Sequence, residues 1–170
     1  MREPGGMKTT APEELYERDF YAWTRDQARA LRRLAQARPN DAAVDFVHLV
    51  EEVRDLGRSE RDAVRSHIRT IIEHLLKLEH SAAREPRAGW IISITRARVA
   101  LEDKLTPTLR RDLAANLDRL YAQARQQASV ALRVHGEAGA AAALPVQRPY
   151  TREQILSDEW LPIDRSEPLP

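Results

Sequence analysis

The chain contains no cysteine, so a disulfide framework, a thiolate metal site and a cysteine nucleophile are all excluded. An excess of charge of either sign is missing as well, because 27 basic and 26 acidic side chains leave a formal net charge of +1. No overall field then attracts the protein to nucleic acid or to an anionic membrane surface. We expect neither of these as a partner.

Long apolar runs are also absent, since no stretch approaches the roughly 20 residues that span a bilayer. The opening MREPGGMKTT lacks the apolar region of a signal peptide, and Met7 is an alternative start to Met1. These features indicate a cytoplasmic location. The six glycines are scattered, so they form neither a phosphate-binding loop nor a nucleophile elbow.

What the sequence does contain is helical periodicity. Five segments of the 170-residue chain place apolar residues on one face of a helix, and none alternates as a β-strand does. We predict an all-α fold, a bundle of four to five mainly antiparallel helices with a short docked C-terminal helix. The expected divisions are a flexible N-terminus over 1–9, the helical bundle over 10–135, an alanine-rich flexible connection over 136–148 and a docked tail over 149–170.

Capping residues and prolines mark the ends of several predicted helices. The first helix is expected to begin at Thr10 and to stop near Arg38, since Pro39 disfavours helix in the residue before it. Thr106 followed by Pro107 is a typical helix start and marks the fifth helix.

Two further signals concern the middle and the end of the chain. Gly57 is a typical residue for the end of a helix, and Ser59 with Asp62 resembles the capping box of a new one. We therefore expect the second helix to end at Gly57 and to form an antiparallel hairpin with the third. Thr151 with Gln154 is another capping box, which predicts the short helix of the tail.

Carboxylates and imidazoles are concentrated in EEVRDLGRSERDAVRSHIRTIIEH, residues 51–74. On the helical wheel, His67 and His74 fall on one flank of the third helix, and Glu52 lies on a flank of the second. If the hairpin pairs these flanks, Glu52, His67 and His74 converge, with His48 one turn before Glu52. Two imidazoles and a carboxylate suit zinc or iron, or a general base beside its orienting acid.

The same residues also have a structural interpretation, in which Glu52 and His74 share one hydrogen bond between helices. We favour it, because His67 and His74 lie about 10.5 Å apart along the axis, whereas histidines that share a metal lie one turn apart. The Glu-x-x-His pattern of di-iron bundles is missing too. We therefore predict no cofactor and assign no catalytic residue, and we keep Glu52, His67, His74 and His48 as candidate ligands for zinc or iron.

Several segments of the chain form a specific combination. They are Tyr16-Glu-Arg-Asp-Phe-Tyr-Ala-Trp23, Leu49 to Glu60 followed by His74-Leu-Leu-Lys77, Trp90 with Ser93-Ile94, and Pro149 to Leu156 followed by Leu161-Pro162. This combination resembles the bacterial family called domain of unknown function 29. The resemblance implies an α-helical bundle in a bacterial, cytoplasmic setting, and it implies no activity. Family members usually carry an aspartate directly after the Ile-Leu of the tail, where this chain has Ser157 and then Asp158.

The absence of a catalytic constellation favours a non-enzymatic protein-interaction module, and we lean against an enzyme. The tail supports this reading, because a compact apolar set must dock on the bundle or on another subunit: Ile155, Leu156, Trp160 and Leu161. Two alternatives stay open, an antitoxin-like regulatory partner of a small protein and a metal-binding bundle with hydrolase or redox activity. The expected partner is another protein or a second copy of the chain in a homodimer.

Overall fold

The computed structural model describes residues 12–39 and 43–163, and all of their regular secondary structure is helical. The elements are α1 (Pro12–Arg18), α2 (Phe20–Ala37), α3 (Phe46–His80), α4 (Arg87–Glu102), α5 (Pro107–Val134), α6 (Ala138–Ala143) and α7 (Arg152–Leu156). The all-α prediction is confirmed, with four long helices and the short C-terminal helix α7. The expected flexible N-terminus over 1–9, the helix cap at Thr10 and the end of the tail lie outside the described residues.

The chain divides into two compact units. The first comprises Met1–Arg61 with Thr106–Thr108, and the second comprises Asp62–Leu105 with Leu109–Pro170. Each unit has its own buried residues.

The first unit contains a helix break that the sequence analysis did not predict. Asp19 ends α1 and caps α2, because its Oδ1 accepts a hydrogen bond from the Ala22 N–H at 3.0 Å. The same carboxylate accepts hydrogen bonds from Thr106 Oγ1 at 3.0 Å and from the Thr108 N–H at 2.8 Å. Asp19 is 4% exposed. Burial raises its pKa, but these hydrogen bonds outweigh burial, so the pKa lies below its ordinary value.

Three aromatic rings pack together across this break. Tyr16 contacts Phe20 and Trp23 edge-on, with ring centroids 5.4 and 4.8 Å apart, and Phe20 stacks on Trp23 at 5.6 Å. Edge-on and offset arrangements of this kind are the favoured geometries of aromatic pairs. The cluster therefore links α1 to the first turn of α2.

The predicted hairpin after Gly57 is wrong, because α3 continues without a break from Phe46 to His80. Gly57 lies inside this helix, where a Cβ would come within 2.3 Å of Oγ1 and 3.2 Å of Cβ of Thr24 on α2. The glycine therefore permits close approach of α2 to α3 instead of ending a helix. The sequence pattern is compatible with both roles, and tertiary packing decides between them.

Replacing Gly57 with alanine is expected to destabilise the protein by about 1–2 kcal/mol, since overpacking outweighs the better helix propensity of alanine. Thr24→Ala removes Oγ1, the atom at 2.3 Å, and leaves only the milder contact with Cβ at 3.2 Å, so the double variant should be more stable than Gly57→Ala alone. Urea unfolding of the wild type, both single variants and the double variant measures this coupling. Strictly additive losses would contradict a direct contact between the two positions.

The core of the second unit consists mainly of aliphatic side chains, with one tyrosine, that recur at helical spacing on α3, α4 and α5. The largest fully buried members are Ile68, Ile71, Ile72, Leu75, Leu76, Ile94, Leu101, Leu109, Leu113, Leu120 and Tyr121. Ala124 and Ala128 are also fully buried on α5. Small side chains at these two positions allow close packing of neighbouring backbone.

The segment 136–148, expected as a flexible connection, contains the helix α6 and is tied to α5. Tyr121 Oη donates a hydrogen bond to the Pro145 carbonyl at 2.5 Å, and Arg125 donates to the Leu144 carbonyl at 3.1 Å. Leu144 is itself buried. Alanine-rich composition indicates a linker when it is read alone, but alanine is also the best helix former.

Candidate functional site

The structure separates the candidate metal ligands, and it also rules out the hydrogen bond between helices that we favoured for Glu52 and His74. Glu52 and His74 lie about six turns apart on the continuous helix α3, or about 33 Å along its axis at 1.5 Å per residue. Glu52 and His48 are exposed, and His67 is half-buried. The expected convergence depended on the hairpin, so its geometric basis is removed. Within the part of the chain that the structure describes, no group of three or more His, Cys, Asp or Glu side chains could hold a metal ion.

His48 has a local partner at the start of α3. Its Nδ1 lies 2.5 Å from Oδ2 of Asp45, and its backbone N–H donates to Oδ1 of the same carboxylate at 3.2 Å. The hydrogen bond and the charge of Asp45 raise the pKa of His48. This arrangement is typical of a helix cap, and it accounts for His48 without a metal.

His74 has the most unusual surroundings of the four candidates. Its Nδ1 is buried and has no hydrogen-bond partner among the described residues. Burial lowers the pKa of His74, and the positive charge of Lys77 lowers it further. The neutral imidazole is therefore the favoured form in the folded protein.

The lowered pKa of His74 predicts a dependence of stability on pH. As the pH falls below the ordinary histidine pKa of 6.5, the unfolded chain takes up a proton before the folded one does. The stability associated with neutral His74 is therefore present above that pKa and is lost as the pH falls through the folded-state value. His74→Gln should lose less stability than the wild type between about pH 7 and pH 5 in urea unfolding.

His48 serves as the matched control, because its pKa is raised and its linkage has the opposite sign. The stability associated with its contact to Asp45 is present below the ordinary pKa and is lost as the pH rises through the folded-state value. His48→Gln should therefore lose stability relative to the wild type on the acid side. Identical pH profiles for the wild type and His74→Gln would contradict the burial argument.

Side chains from later in the chain hold the end of α3 in the second unit. Arg87 donates from Nη2 to the Leu78 carbonyl at 2.8 Å and from Nη1 to the Ser81 carbonyl at 3.4 Å. Glu137 accepts hydrogen bonds from Ser81 Oγ at 2.8 Å and from the Ala82 N–H at 2.8 Å. These bonds satisfy backbone groups that a helix end leaves without partners. They also fix the start of α4 relative to the end of α3.

One buried arginine holds α7 against α4. Arg98 is 4% exposed, and its Nε donates to the Ile155 carbonyl at 3.1 Å. Its Nη2 donates to the carbonyls of Gln154 at 3.2 Å and Trp160 at 3.0 Å. A five-residue helix cannot satisfy its own last carbonyls, so the guanidinium supplies donors that the tail lacks.

A second buried contact supports the same docking. Tyr150 Oη donates to Oε2 of Glu79 at 2.5 Å, and both side chains are buried. Neither Glu79 nor Arg98 is among the candidate residues predicted from the sequence. The helical spacing could have indicated a role for Arg98, since it lies on the core-facing side of α4 together with Ile94 and Leu101. A charge on an apolar helical face requires a partner, and here the partner is backbone.

With its core-facing side fixed, α4 presents a second apolar side to solvent. We call Ala88, Ile92, Thr95 and Val99 the outer face of α4. Ile92 is 50% exposed and Val99 is 57% exposed, and they lie two turns apart on the side opposite the buried Ile94. The Thr95 hydroxyl donates to the carbonyl one turn earlier at 3.0 Å. The outer face therefore offers aliphatic surface without an unsatisfied hydroxyl donor.

The charges at the two ends of α4 oppose its helix dipole. Its first turn has no acidic residue and no side-chain cap, and its last turn has no basic residue. Glu102 and Asp103 instead place negative charge at the C-terminal end. Negative charge is stabilising near a helix N-terminus and unfavourable near a C-terminus. Within the helix itself, neither end carries a charge that favours the dipole.

These elements define an all-helical protein whose short C-terminal helix is docked through buried polar contacts. No helix among the described residues is long and apolar enough to cross a membrane. The chain belongs to the family described as Domain of unknown function DUF29, whose model matches residues 15–161. The resemblance noted in the sequence is therefore confirmed.

A solved structure shows the same fold. The chain is similar to an alpha-helical protein of unknown function from Rhodospirillum rubrum ATCC 11170, with 26% sequence identity and a TM-score of 0.75. The match covers 85% of this chain and 90% of the other. No curated protein matches the chain.

Proposed function

We propose that the protein is a non-enzymatic protein-interaction module and that the outer face of α4 is its interface. The observation that carries this proposal is the exposure of Ile92 and Val99 on a helix whose opposite side is buried in the core. Aliphatic side chains at this spacing are typical of a surface that another helix covers. Their burial against a partner contributes a gross hydrophobic term of about 25 cal/mol per Å² of apolar area, which must exceed the entropy cost of association.

The partner that fits this surface is a second copy of the chain, packed with its α4 antiparallel to the first. With a two-fold axis between Thr95 and Arg96, Ile92 of each copy lies opposite Val99 of the other. The same pairing brings Asp103 of each copy to the uncapped N-terminus of the other copy's α4. Negative charge is favourable at a helix N-terminus. The contact would therefore give the N-terminus of α4 an acidic neighbour and give Asp103 a favourable electrostatic partner.

Sedimentation velocity over a range of concentrations tests this proposal. The wild type is expected to associate reversibly to a dimer, and Val99→Lys should weaken this association by at least about tenfold. Val130→Lys on α5 is the matched control, because Val130 is 56% exposed and lies outside the outer face of α4. It should leave the association unchanged.

Two results would contradict the proposal. One is a wild type that stays monomeric up to about 100 µM, which excludes a second copy as a partner of useful affinity. The other is an equal loss of association in Val99→Lys and Val130→Lys, which would mean that the contact lies elsewhere.

A further inference from the structure

The second unit contains a cleft of about 540 Å³ at the end of α3. This volume lies in the range of clefts that bind small molecules. Its apolar wall includes Trp90, Ala131 and Leu132, and its charged side chains are Lys77, Glu85 and Glu137. An apolar wall with a few charged groups is the usual composition of a small-molecule site.

Lys77 is a buried donor with unused hydrogens. The residue is 9% exposed, and its Nζ lies 2.5 Å from Oε1 of Glu73, one turn earlier on α3. Lys77 makes no other side-chain hydrogen bond or ion pair with the described residues. An ammonium carries three N–H donors, so two of them remain available to an acceptor in the cleft. A ligand oxygen in the cleft would satisfy them.

Glu85 and Glu137, the two glutamates of the cleft, have free capacity to accept hydrogen bonds. Glu137 accepts hydrogen bonds from the Ser81 hydroxyl and the Ala82 N–H, and it forms no ion pair with a cation among the described residues. Glu85 is exposed and makes no hydrogen bond or ion pair within the same part of the chain. A carboxylate has about four acceptor sites, so each can take a further hydrogen bond from a cationic donor.

We infer that this cleft binds an α-amino acid with a large apolar side chain. The carboxylate of the ligand accepts hydrogen bonds from Lys77, and its ammonium donates to Glu85 and Glu137. The apolar side chain packs on Trp90 and Leu132. A ligand with the carboxylate alone leaves the glutamates without a cation, and a ligand with the amine alone leaves the Lys77 donors unused. The inference is independent of the interface proposed for the outer face of α4.

Three probes that share one apolar body separate these contributions: L-phenylalanine, 3-phenylpropionate and 2-phenylethylamine. The first has both charged groups, and each of the others has one. L-phenylalanine is expected to bind at least about tenfold more tightly than either single-charge probe. The chain has three tryptophans, so its indole N–H spectrum has three signals in NMR. The signal of Trp90, assigned through Trp90→Phe, should be the one that moves.

Glu85→Gln is the variant of choice, because Glu85 is exposed and its replacement does not threaten the fold. It should weaken the binding of L-phenylalanine by about three- to tenfold and leave the binding of 3-phenylpropionate unchanged. Glu102→Gln is the matched control, since Glu102 is also an exposed carboxylate but does not line the cleft. It should leave the binding of all three probes unchanged.

Either of two outcomes would overturn the inference. The first is binding of one single-charge probe as tightly as L-phenylalanine, because the cleft would then not recognise both ends of an amino acid. The second is a Trp90 signal that does not move with any of the three probes at about 10 mM. The dissociation constant would then exceed about 10 mM, which is too weak for a specific site of this kind.

Discussion

Replacing Asp19 with alanine is expected to lower the free energy of unfolding by about 3–4 kcal/mol. One carboxylate serves two helix starts, since it caps α2 and also binds the Thr108 N–H in the first turn of α5. Pro107 has no N–H of its own, and Thr106 adds its hydroxyl to the same carboxylate. Alanine would remove the acceptor from these half-buried donors, and a donor that loses its acceptor while shielded from water is destabilising. Urea unfolding measures the loss.

Asp19→Asn separates the charge from the shape of the side chain. The amide keeps one acceptor oxygen but turns a donor toward groups that are themselves donors, so we expect about half of the loss in Asp19→Ala. The pKa of Asp19 lies below its ordinary value of 3.8. Its stabilisation is therefore present above that pH and is lost as the pH falls through the folded-state pKa. An Asp19→Ala protein as stable as the wild type at neutral pH would contradict this account.

Replacing Arg98 with methionine is expected to cost about 3 kcal/mol and to detach α7. The change leaves three carbonyls of the tail without their donor and removes what holds Ile155 in place. Ile155 is fully buried in the native protein, and its exposure accounts for a large part of the loss. Methionine retains most of the apolar stem of the side chain, so the change reports on the guanidinium.

Limited trypsin digestion measures the detachment directly. In the Arg98→Met protein, cleavage after Arg152 should become fast, because this residue begins the detached helix. The bond after Arg148 is not a trypsin site, since Pro149 follows it. Arg119→Met on α5 is the control, since Arg119 is exposed and makes no contact of this kind within the described residues. It should digest like the wild type. Slow cleavage in Arg98→Met would show that apolar packing alone holds the tail.

Local rules predicted the parts of the fold where the signal lies within a few residues. Thr106 with Pro107 predicted the start of α5, which begins at Pro107. Thr151 with Gln154 predicted the capping box of α7, and both of its hydrogen bonds are present. In these cases the residue that gives the signal also makes the bond, so no tertiary knowledge is required.

The wrong predictions of helix ends occur where the role of a residue depends on contacts with residues that are distant in sequence. Gly57 is a good helix terminator, yet it lies inside α3 because Thr24 approaches it from α2. Asp19 caps a new helix inside a periodic stretch that the sequence indicates as one helix. Its further partners, Thr106 and Thr108, are distant in sequence. No pattern within a few residues contains that information.

For the candidate sites too, local sequence signals were not sufficient where the arrangement depends on tertiary packing. The proposed convergence of Glu52, His67 and His74 depended on the hairpin, so the single error at Gly57 removed it. The exposed pair Ile92 and Val99 was readable as a second apolar side of the fourth helix, but only the structure shows that the first side is already occupied by the core. The cleft beside Lys77 could not be predicted, since its walls come from α3, α4 and α5 together.

The most direct test of the proposed interface uses the absence of cysteine from the natural chain. We would introduce Ile92→Cys and Val99→Cys, singly and together, and measure covalent dimers after mild oxidation without reductant. The antiparallel pairing predicts abundant disulfide-linked dimer in the double variant and little in either single variant, since position 92 of one copy meets position 99 of the other. The two cysteines of one chain lie about 10.5 Å apart along α4, too far to bridge within one copy. The account would be contradicted if Ile92→Cys alone formed as much disulfide-linked dimer as the double variant, or if the double variant formed none.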